Sequence, residues 1–210
     1  MMRENRATYI DSLSASEGVF TTAQAERCGI SRSSLAKACA AGRLERLAHG
    51  AYRSAAVTSS QTDEIAAAWK LTAPEKMLYE RMPREAWDGV AVGGTTAASL
   101  RGIGDFYLTP IRMYLPKRFK TRNLDLRVSV RRVEWDDIDF DYGFAVTRVE
   151  RTLIDLMLDD EELSLVQDAY EDAVDKGLDF TRLRGIVDGL IPRERKKIEA
   201  AFGEGGLHGL

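Results

Sequence analysis

Residues 18–53 read GVFTTAQAERCGISRSSLAKACAAGRLERLAHGAYR, and this stretch decides the fold of the N-terminal part of the chain. The four residues Thr21–Gln24 match a capping box, in which a threonine oxygen and a glutamine side chain bind backbone amides at a helix start. We therefore expect a short helix over residues 22–28. Gly29 follows it and supplies the left-handed conformation that commonly ends a helix.

A second helix is predicted over residues 32–41, because Ser31 is a favourable N-cap and Gly42 closes the segment. A first helix, over residues 4–14, precedes the pair. Two short helices joined by a turn that contains glycine are typical of the helix-turn-helix motif. The apolar residues expected to face inward from the helix over residues 32–41 are Leu35, Ala38 and Cys39.

The residues that follow predict a small wing. Leu44 and Leu47 are apolar, and residues 51–53 are expected to return as an antiparallel strand around His49-Gly50. Alternation of this kind around a tight turn indicates a hairpin. A helix-turn-helix followed by a two-stranded wing is a winged helix-turn-helix, which we assign to residues 1–58.

The exposed side chains expected in this domain predict contact with double-stranded DNA. Arginine makes bidentate bonds to guanine edges and serine bonds to bases, so the outward face of the second helix of the motif would read the base sequence. Wing arginines pair with phosphates, and the amides of a helix N-terminus attract a phosphate. A helical protein–protein module with an ordinary basic surface is the alternative. The predicted DNA-binding residues are Thr21, Thr22, Ser31, Arg32, Ser33, Ser34, Lys37, Arg43, Arg46 and Arg53.

Charge is unevenly distributed along the 210 residues, although the formal net charge is only −3. Residues 1–60 carry eight basic and five acidic side chains, whereas residues 136–210 carry nine basic and nineteen acidic ones. Such asymmetry indicates separate partners for the two parts of a chain. The basic part suits a polyanion. The acidic part suits a basic protein partner or forms a solvated helical face.

Several classes of protein are excluded at this stage. No stretch approaches the ~18 apolar residues of a membrane helix, and the N-terminus has no apolar signal core, so we expect a cytoplasmic protein with no membrane partner. Two cysteines do not make a disulfide scaffold, and with two histidines they do not make a zinc site of usual spacing. We expect neither a metal nor a cofactor. No catalytic triad is apparent, so we do not expect an enzyme.

Residues 59–210 are predicted to form a mixed α/β domain with a small sheet and C-terminal helices, which makes the whole chain α+β. Two helices, over residues 62–71 and 74–81, begin it. Alternating apolar residues predict strands at 111–115 and 124–130. The loop between the strands is a second candidate basic surface, for nucleic acid or an acidic partner, unless it is simply solvated. Its basic residues are Lys117, Arg118, Lys120 and Arg122.

Capping patterns predict further helices in this domain. Thr95 is expected to cap a helix after Gly93-Gly94, and a second capping box at Thr147–Glu150 is expected to begin another helix after a strand at residues 144–146. Three more helices are expected near the C-terminus, over residues 164–176, 181–190 and 192–202.

Over about residues 16–190, the chain resembles the AbiEi-type antitoxins of type IV, or abortive-infection, toxin–antitoxin systems. The resemblance implies that the winged helix binds the promoter of its own operon. The protein would then repress that operon, and the second domain would oppose a nucleotidyltransferase-like toxin encoded nearby. The stretches that carry the resemblance are residues 18–25, 29–31, 42–44, 50–53, 96–103 and 146–156.

Three questions stay open from the sequence. Arg151, Thr152 and Asp155 form either a buried polar network, which we favour, or a toxin contact. The chain could instead be a stand-alone regulator whose C-terminal domain serves dimerisation or effector binding. A nuclease reading rests on Glu194–Lys196 and Asp188, but that triplet lies in a helical pattern where convergent carboxylates are not expected. Because one winged helix has a small footprint, we expect two copies on repeated half-sites, and a homodimer on the DNA is one arrangement that would supply them.

Overall fold

The computed structural model describes residues 2–121 and 125–204, and these form two compact units. The first unit contains the chain up to Val90 together with Phe140–Ala145, and the second contains Ala91–Asp139 and the chain from Val146 onward. Helices and a small sheet occur in both units, which confirms the α+β class. None of the helices in the described part of the chain has the length and apolar character needed to span a bilayer.

The first unit begins as a winged helix-turn-helix, as predicted. Its strands form an antiparallel sheet in the order β1-β3-β2. The strand β1 was not predicted. Its three residues are all buried, so their alternation is invisible. The elements are α1 (Met2–Glu17), β1 (Val19–Thr21), α2 (Thr22–Arg27), α3 (Arg32–Ala40), β2 (Leu44–Ala48), β3 (Ala51–Ser54), α4 (Asp63–Lys70), α5 (Leu78–Arg81) and a 3-10 helix (Arg84–Ala86).

Local signals in the sequence explain the helix-turn-helix. The capping box is confirmed: Thr21 Oγ1 accepts from the Gln24 amide at 3.1 Å, and Gln24 Oε1 accepts from the Thr21 amide at 2.8 Å. Gly29 has a φ of +75°, which lets the chain turn between α2 and α3 without strain. Leu35 and Ala38 are fully buried on the inner side of α3, where they pack with Phe20.

The first unit extends beyond the boundary predicted at residue 58, because residues of α4 pack into it. The Lys70 ammonium lies 2.5 Å from a Glu17 carboxylate oxygen, and both side chains are almost completely buried. Trp69 is also buried, and its Nε1 donates to the Val90 carbonyl at 2.8 Å. The Arg81 guanidinium lies 3.3 Å from the centre of the Trp69 ring. Whether residues 1–58 alone bind DNA stays a prediction.

A segment that we call the α2 strap, residues 74–80, runs beside α2. Three side chains of that helix region, spaced three residues apart and therefore on one face, bind its backbone carbonyls. Thr21 Oγ1 donates to Pro74, Gln24 Nε2 to Lys76 at 2.7 Å, and Arg27 Nη1 to Glu75 at 2.5 Å.

The start of one predicted helix is wrong. We expected a helix over residues 74–81, but α5 begins only at Leu78. The carbonyls that the first helical turns would use are bound by α2 side chains instead. Glu80 adds a bidentate ion pair with Arg27, with N–O distances of 2.6 and 2.8 Å.

The second unit contains a five-stranded mixed sheet in the order β6-β5-β4-β8-β7. The β5–β6 and β4–β8 pairs are parallel, and the β4–β5 and β7–β8 pairs are antiparallel. The elements are β4 (Ala91–Val92), α6 (Gly94–Arg101), β5 (Ile111–Leu115), β6 (Leu126–Val130), a 3-10 helix (Trp135–Asp137), β7 (Ile138–Asp139), β8 (Val146–Thr147), α7 (Val149–Leu158), α8 (Leu163–Asp175), α9 (Phe180–Asp188) and α10 (Pro192–Glu204).

Helix α7 is the centre of the second core. It packs against α6, α8, α9 and α10 and is buried along almost its whole length. The completely buried side chains of this core include Leu153, Ile154, Leu156, Val166, Leu183 and Ile198. Burying side chains of this size contributes about 1.5–3 kcal/mol each, so α7 organises the unit.

Two predicted caps in this unit are wrong. Helix α6 begins at Gly94 with Gly93 as its N-cap, not Thr95. A Cβ atom at residue 93 would lie 2.1 Å from Tyr114 Cε2, so close packing requires glycine there. Helix α7 has Arg148 as its N-cap and no side-chain cap. The Thr147 hydroxyl is buried and bonds instead to the Thr152 hydroxyl at 2.7 Å, so it cannot form the predicted box.

Candidate nucleic-acid interface

The outward face of α3 carries most of the predicted base-reading residues. Ser31 caps the helix by accepting from the Ser34 amide at 3.3 Å, and its hydroxyl also lies 2.9 Å from that of Ser33. Because the inner face of α3 is buried, Arg32, Ser33 and Lys37 are directed to the surface and are exposed. The helix therefore presents two cations and a group of hydroxyls, which are donors suited to base edges and phosphates.

The wing carries two further exposed arginines. Arg43 precedes β2, and Arg46 lies within it. The guanidinium of Arg46 bonds to His49 Nδ1 at 2.7 Å and to the Ala48 carbonyl at 3.3 Å. These bonds hold Arg46 at the hairpin tip, where its charge can act on a phosphate. His49 is therefore a neighbour of a candidate contact residue, a role that the sequence did not indicate.

Arg53 has a different environment from that expected of a phosphate contact. Its residue is 9% exposed, and its guanidinium donates to the Glu45 carboxylate and, at 2.6 Å, to the Val57 carbonyl. Arg53 Nε also lies 3.3 Å from Asp63 Oδ2. Two carboxylates neutralise this arginine inside the unit. Glu45, Val57 and Asp63 become partners of Arg53 only when the chain folds, so the sequence alone does not identify them.

Thr21 is also buried, with 1% exposure. Its hydroxyl is shared between the capping box and the Pro74 carbonyl, so it is not available to a phosphate. Thr22 is half-buried beside it. Of the ten predicted residues, eight are exposed or half-exposed in the first unit: Thr22, Ser31, Arg32, Ser33, Ser34, Lys37, Arg43 and Arg46. Their contact with DNA stays a prediction.

An exposed acidic residue of the helix-turn-helix lies beside one of these cations. Glu26, near the end of α2, accepts from Arg32 Nε at 2.8 Å. The sequence analysis missed it, although an acidic residue one turn before the glycine turn was the available signal. The second basic surface is in the other unit, where Lys117, Arg118 and Lys120 are exposed after β5. Arg122, the fourth residue predicted there, lies outside the described residues.

A network of buried charges occupies the second unit and confirms the structural role favoured for Arg151 and Asp155. Arg151 Nε donates to Asp155 Oδ1 at 3.1 Å, and Arg131 Nη1 donates to the same oxygen at 3.0 Å. Arg131 also bonds to Asp159, which accepts from the Tyr114 hydroxyl at 2.6 Å. These bonds connect α7 with β5 and with the segment after β6.

Asp155 is the most perturbed carboxylate of this network. Burial raises its pKa to about 6, and the charges of Arg151 and Arg131 oppose that rise. Its Oδ2 atom has no hydrogen-bond partner among the described residues. Burial likewise raises the pKa of Tyr114 well above its ordinary value. The network therefore contains groups that are held in place by arginines rather than exposed to solvent.

Two features bear on the alternatives to a regulator: the possible metal ligands and the candidate nuclease triplet. Within residues 2–121 and 125–204, no three His, Cys, Asp or Glu side chains are grouped so that they could hold a metal ion. Glu194, Arg195 and Lys196 lie on α10, a helix, and Asp188 ends α9. The structure therefore puts the triplet where the sequence predicted it, on a helix rather than a core strand.

A helix-turn-helix with a basic second helix and a two-stranded wing defines the winged-helix class of DNA-binding domains. Residues 9–55 match a protein family described as transcriptional regulator, AbiEi antitoxin. This match confirms, for the N-terminal region, the resemblance found in the sequence, and it identifies a family of transcriptional regulators and antitoxins rather than a class of enzymes.

The fold also has a relative among solved structures. The crystal structure of the RV2827C protein from Mycobacterium tuberculosis superposes with a TM-score of 0.58 and 15% sequence identity. The superposition covers 96% of this chain and 78% of that protein. At this identity the likeness concerns the fold alone. No curated protein matches the chain.

Proposed function

We propose that this protein is a DNA-binding repressor that binds the promoter of its own operon and acts as the antitoxin of a type IV toxin–antitoxin system. The observation that carries the proposal is the two-sided character of α3. Its inner face, with Leu35 and Ala38, is buried, while its outer face exposes Arg32 and Lys37. A recognition helix needs this combination, because the scaffold must hold it while its outer side chains enter the major groove.

Base reading and phosphate contact are assigned to different residues. Arg32 and Lys37 lie on α3 and would contact base edges, whereas Arg43 and Arg46 lie on the wing and would contact phosphates. Base contacts discriminate between sequences, but phosphate contacts strengthen binding to all DNA and make it salt-dependent. The two pairs therefore give different signatures in one binding experiment.

The experiment is a gel-shift titration of the full chain on its own promoter fragment and on a scrambled fragment, at two salt concentrations. Arg32→Ala/Lys37→Ala is expected to weaken promoter binding by about 5- to 150-fold, corresponding to ~1–3 kcal/mol, and to change scrambled binding less. Arg43→Ala/Arg46→Ala is expected to weaken binding to both fragments alike and to reduce the salt slope by about 1 for each phosphate contact.

A matched control removes two exposed cations from the second unit, Arg184→Ala/Lys196→Ala. This variant has the same change in net charge and is expected to bind the promoter like the wild type. Equal weakening by the control and the α3 variant would contradict the assignment of α3 as the reading helix. Equal binding of promoter and scrambled DNA by the wild type would refute promoter recognition itself.

The antitoxin part of the proposal concerns the second unit. It rests on the antitoxin description of the family that residues 9–55 match and on the resemblance of residues 96–103 and 146–156. The partner of the second unit would be a nucleotidyltransferase-like toxin encoded by a neighbouring gene. Expression of the adjacent gene should arrest growth, and co-expression of this chain should relieve the arrest. The α3 double variant should lose repression of a promoter–reporter fusion but keep this protection. A stand-alone regulator would repress the reporter and give no protection.

A further inference from the structure

An ion pair joins the two helices of the helix-turn-helix at the proposed DNA surface. Glu26 lies on α2 and Arg32 is the first residue of α3. Glu26 Oε1 accepts from Arg32 Nε at 2.8 Å across the Gly29 turn. The side chains are 43% and 79% exposed, so the pair is open to an approaching ligand.

The bond occupies only one nitrogen of the Arg32 guanidinium. Within the described residues, the two terminal nitrogens of Arg32 have no protein partner. These two donors have the spacing that a guanine presents with its O6 and N7 acceptors. An arginine held through Nε has less rotamer freedom to lose on binding, because a free arginine carries ~2 kcal/mol of rotamer entropy.

The carboxylate also has an electrostatic effect. Arg32, Lys37, Arg43 and Arg46 are exposed cations of this domain, and Glu26 is the acidic group paired with one of them. A negative charge at a DNA-binding surface repels the nearest phosphates whatever the base sequence, so it weakens binding to all sequences. This loss of affinity is recovered only at a DNA site whose bases accept hydrogen bonds from the positioned arginine. Specificity built from one attractive and one repulsive element is a general strategy of binding sites.

We infer that Glu26 is a positioning residue that sets the sequence preference of this domain, by holding Arg32 for a guanine in the major groove and by weakening non-specific binding. The inference rests on the proposed DNA-binding function of α3. Its ligand is duplex DNA with a guanine at the position that Arg32 reaches.

The experiment selects binding sites from a random duplex library with the full chain and then measures the affinity for the selected site and for scrambled DNA. Glu26→Ala is expected to strengthen scrambled binding by about 3- to 10-fold and to lower the preference for the guanine by about 10-fold, as expected for the loss of one positioned bidentate contact. Glu64→Gln, which neutralises an exposed carboxylate on α4 of the same unit, is the control and should change neither preference.

A double-mutant cycle distinguishes positioning from general charge. If Glu26 acts through Arg32, Glu26→Ala should not change the guanine preference further in an Arg32→Ala background. Glu26→Gln keeps an oxygen acceptor for Arg32 Nε, so it should retain more of the preference than alanine does. Circular dichroism of each variant checks that it is folded. Substitution of these exposed side chains should not change the fold.

The outcomes separate this inference from the proposed function. Selection of a sequence that is absent from the promoter would contradict autoregulation and leave Glu26 to be judged on the selected site. An equal effect of Glu26→Ala and Glu64→Gln on base preference would overturn the inference. So would a full effect of Glu26→Ala in the absence of Arg32, and so would a wild-type protein that selects no sequence at all.

Discussion

Removal of the Glu17 side chain should destabilise the first unit strongly, because it leaves a buried ammonium without a counter-charge. Lys70 Nζ lies 2.5 Å from Glu17 Oε2, and the two side chains are 2% and 3% exposed. The same carboxylate accepts from Gln24 Nε2 at 3.1 Å and from the Leu78 amide at 3.1 Å. One residue therefore satisfies three donors that come from α4, α2 and α5, and the donors of Lys70 and Gln24 are buried.

The size of the effect follows from this burial. Breaking a buried ion pair by removing one partner costs about 3–5 kcal/mol, a large share of the ~5–15 kcal/mol that stabilises a typical domain. Burial already lowers the pKa of Lys70, and the hydrogen bond that Lys70 donates to Glu17 opposes that shift. Replacing both partners by apolar residues is often neutral or stabilising. Glu17→Ala/Lys70→Met should therefore recover at least half of the loss.

Urea unfolding followed by circular dichroism measures the change in the free energy of unfolding. Hydrogen exchange of peptides from residues 9–90 assigns that change to the first unit. Asp11→Ala, at an exposed carboxylate of the same helix, is the control and should be nearly neutral. A loss below about 1 kcal/mol for Glu17→Ala would show that the pair behaves as a solvated one. A double variant no more stable than the single one would refute the charge-based reasoning.

Two further predictions concern the second unit. Asp155 has a pKa of about 6 in the folded chain, above its unfolded value, so the folded state binds more protons between about pH 4 and pH 6 and its stability falls as the pH rises through that range. Relative to Asp155→Asn, the wild type should gain about 1–2 kcal/mol of unfolding free energy between pH 7.5 and pH 5, and an equal pH dependence of both proteins would contradict this. Gly93→Ala places a Cβ 2.1 Å from Tyr114 Cε2. It should lower the free energy of unfolding, measured by thermal unfolding, by about 1–3 kcal/mol or more. Gly185→Ala, on α9 with no atom within 4 Å of its new Cβ, should instead be neutral or stabilising by up to ~1 kcal/mol, and the opposite order would show that the contact at Gly93 relaxes freely.

The helix-turn-helix and the wing could be predicted because their signals are local. The Thr21–Gln24 box, the glycine at position 29 and the Ser31 cap each act within a few residues, and the wing follows from short alternation around His49-Gly50. Local hydrogen bonds and periodic burial depend on neighbours in the chain, which a sequence displays directly.

The candidate site was predicted only in part, because some of its contacts join residues that only the folded chain brings together. The residues of α3 face outward because the helix period puts Leu35 and Ala38 inward. The neutralisation of Arg53 depends on Glu45 and Asp63, which lie eight and ten residues away in the chain and become neighbours only through β-pairing and the packing of α4. The bond between Glu26 and Arg32 likewise requires the turn to bring α2 and α3 together.

The sequence by itself determined the winged helix-turn-helix, the α+β class and the basic character of the outer face of α3. Only the tertiary structure decided that the first unit continues to Val90 and that residues 74–77, at the start of a predicted helix, are not helical. It also decided that Thr21 and Arg53 are buried and bonded within the first unit. Hydrogen bonds from Thr21, Gln24 and Arg27 occupy the carbonyls of residues 74–76 and override the local helical pattern, and leaving the buried Thr21 and Gln24 donors without partners would cost about 1–3 kcal/mol each.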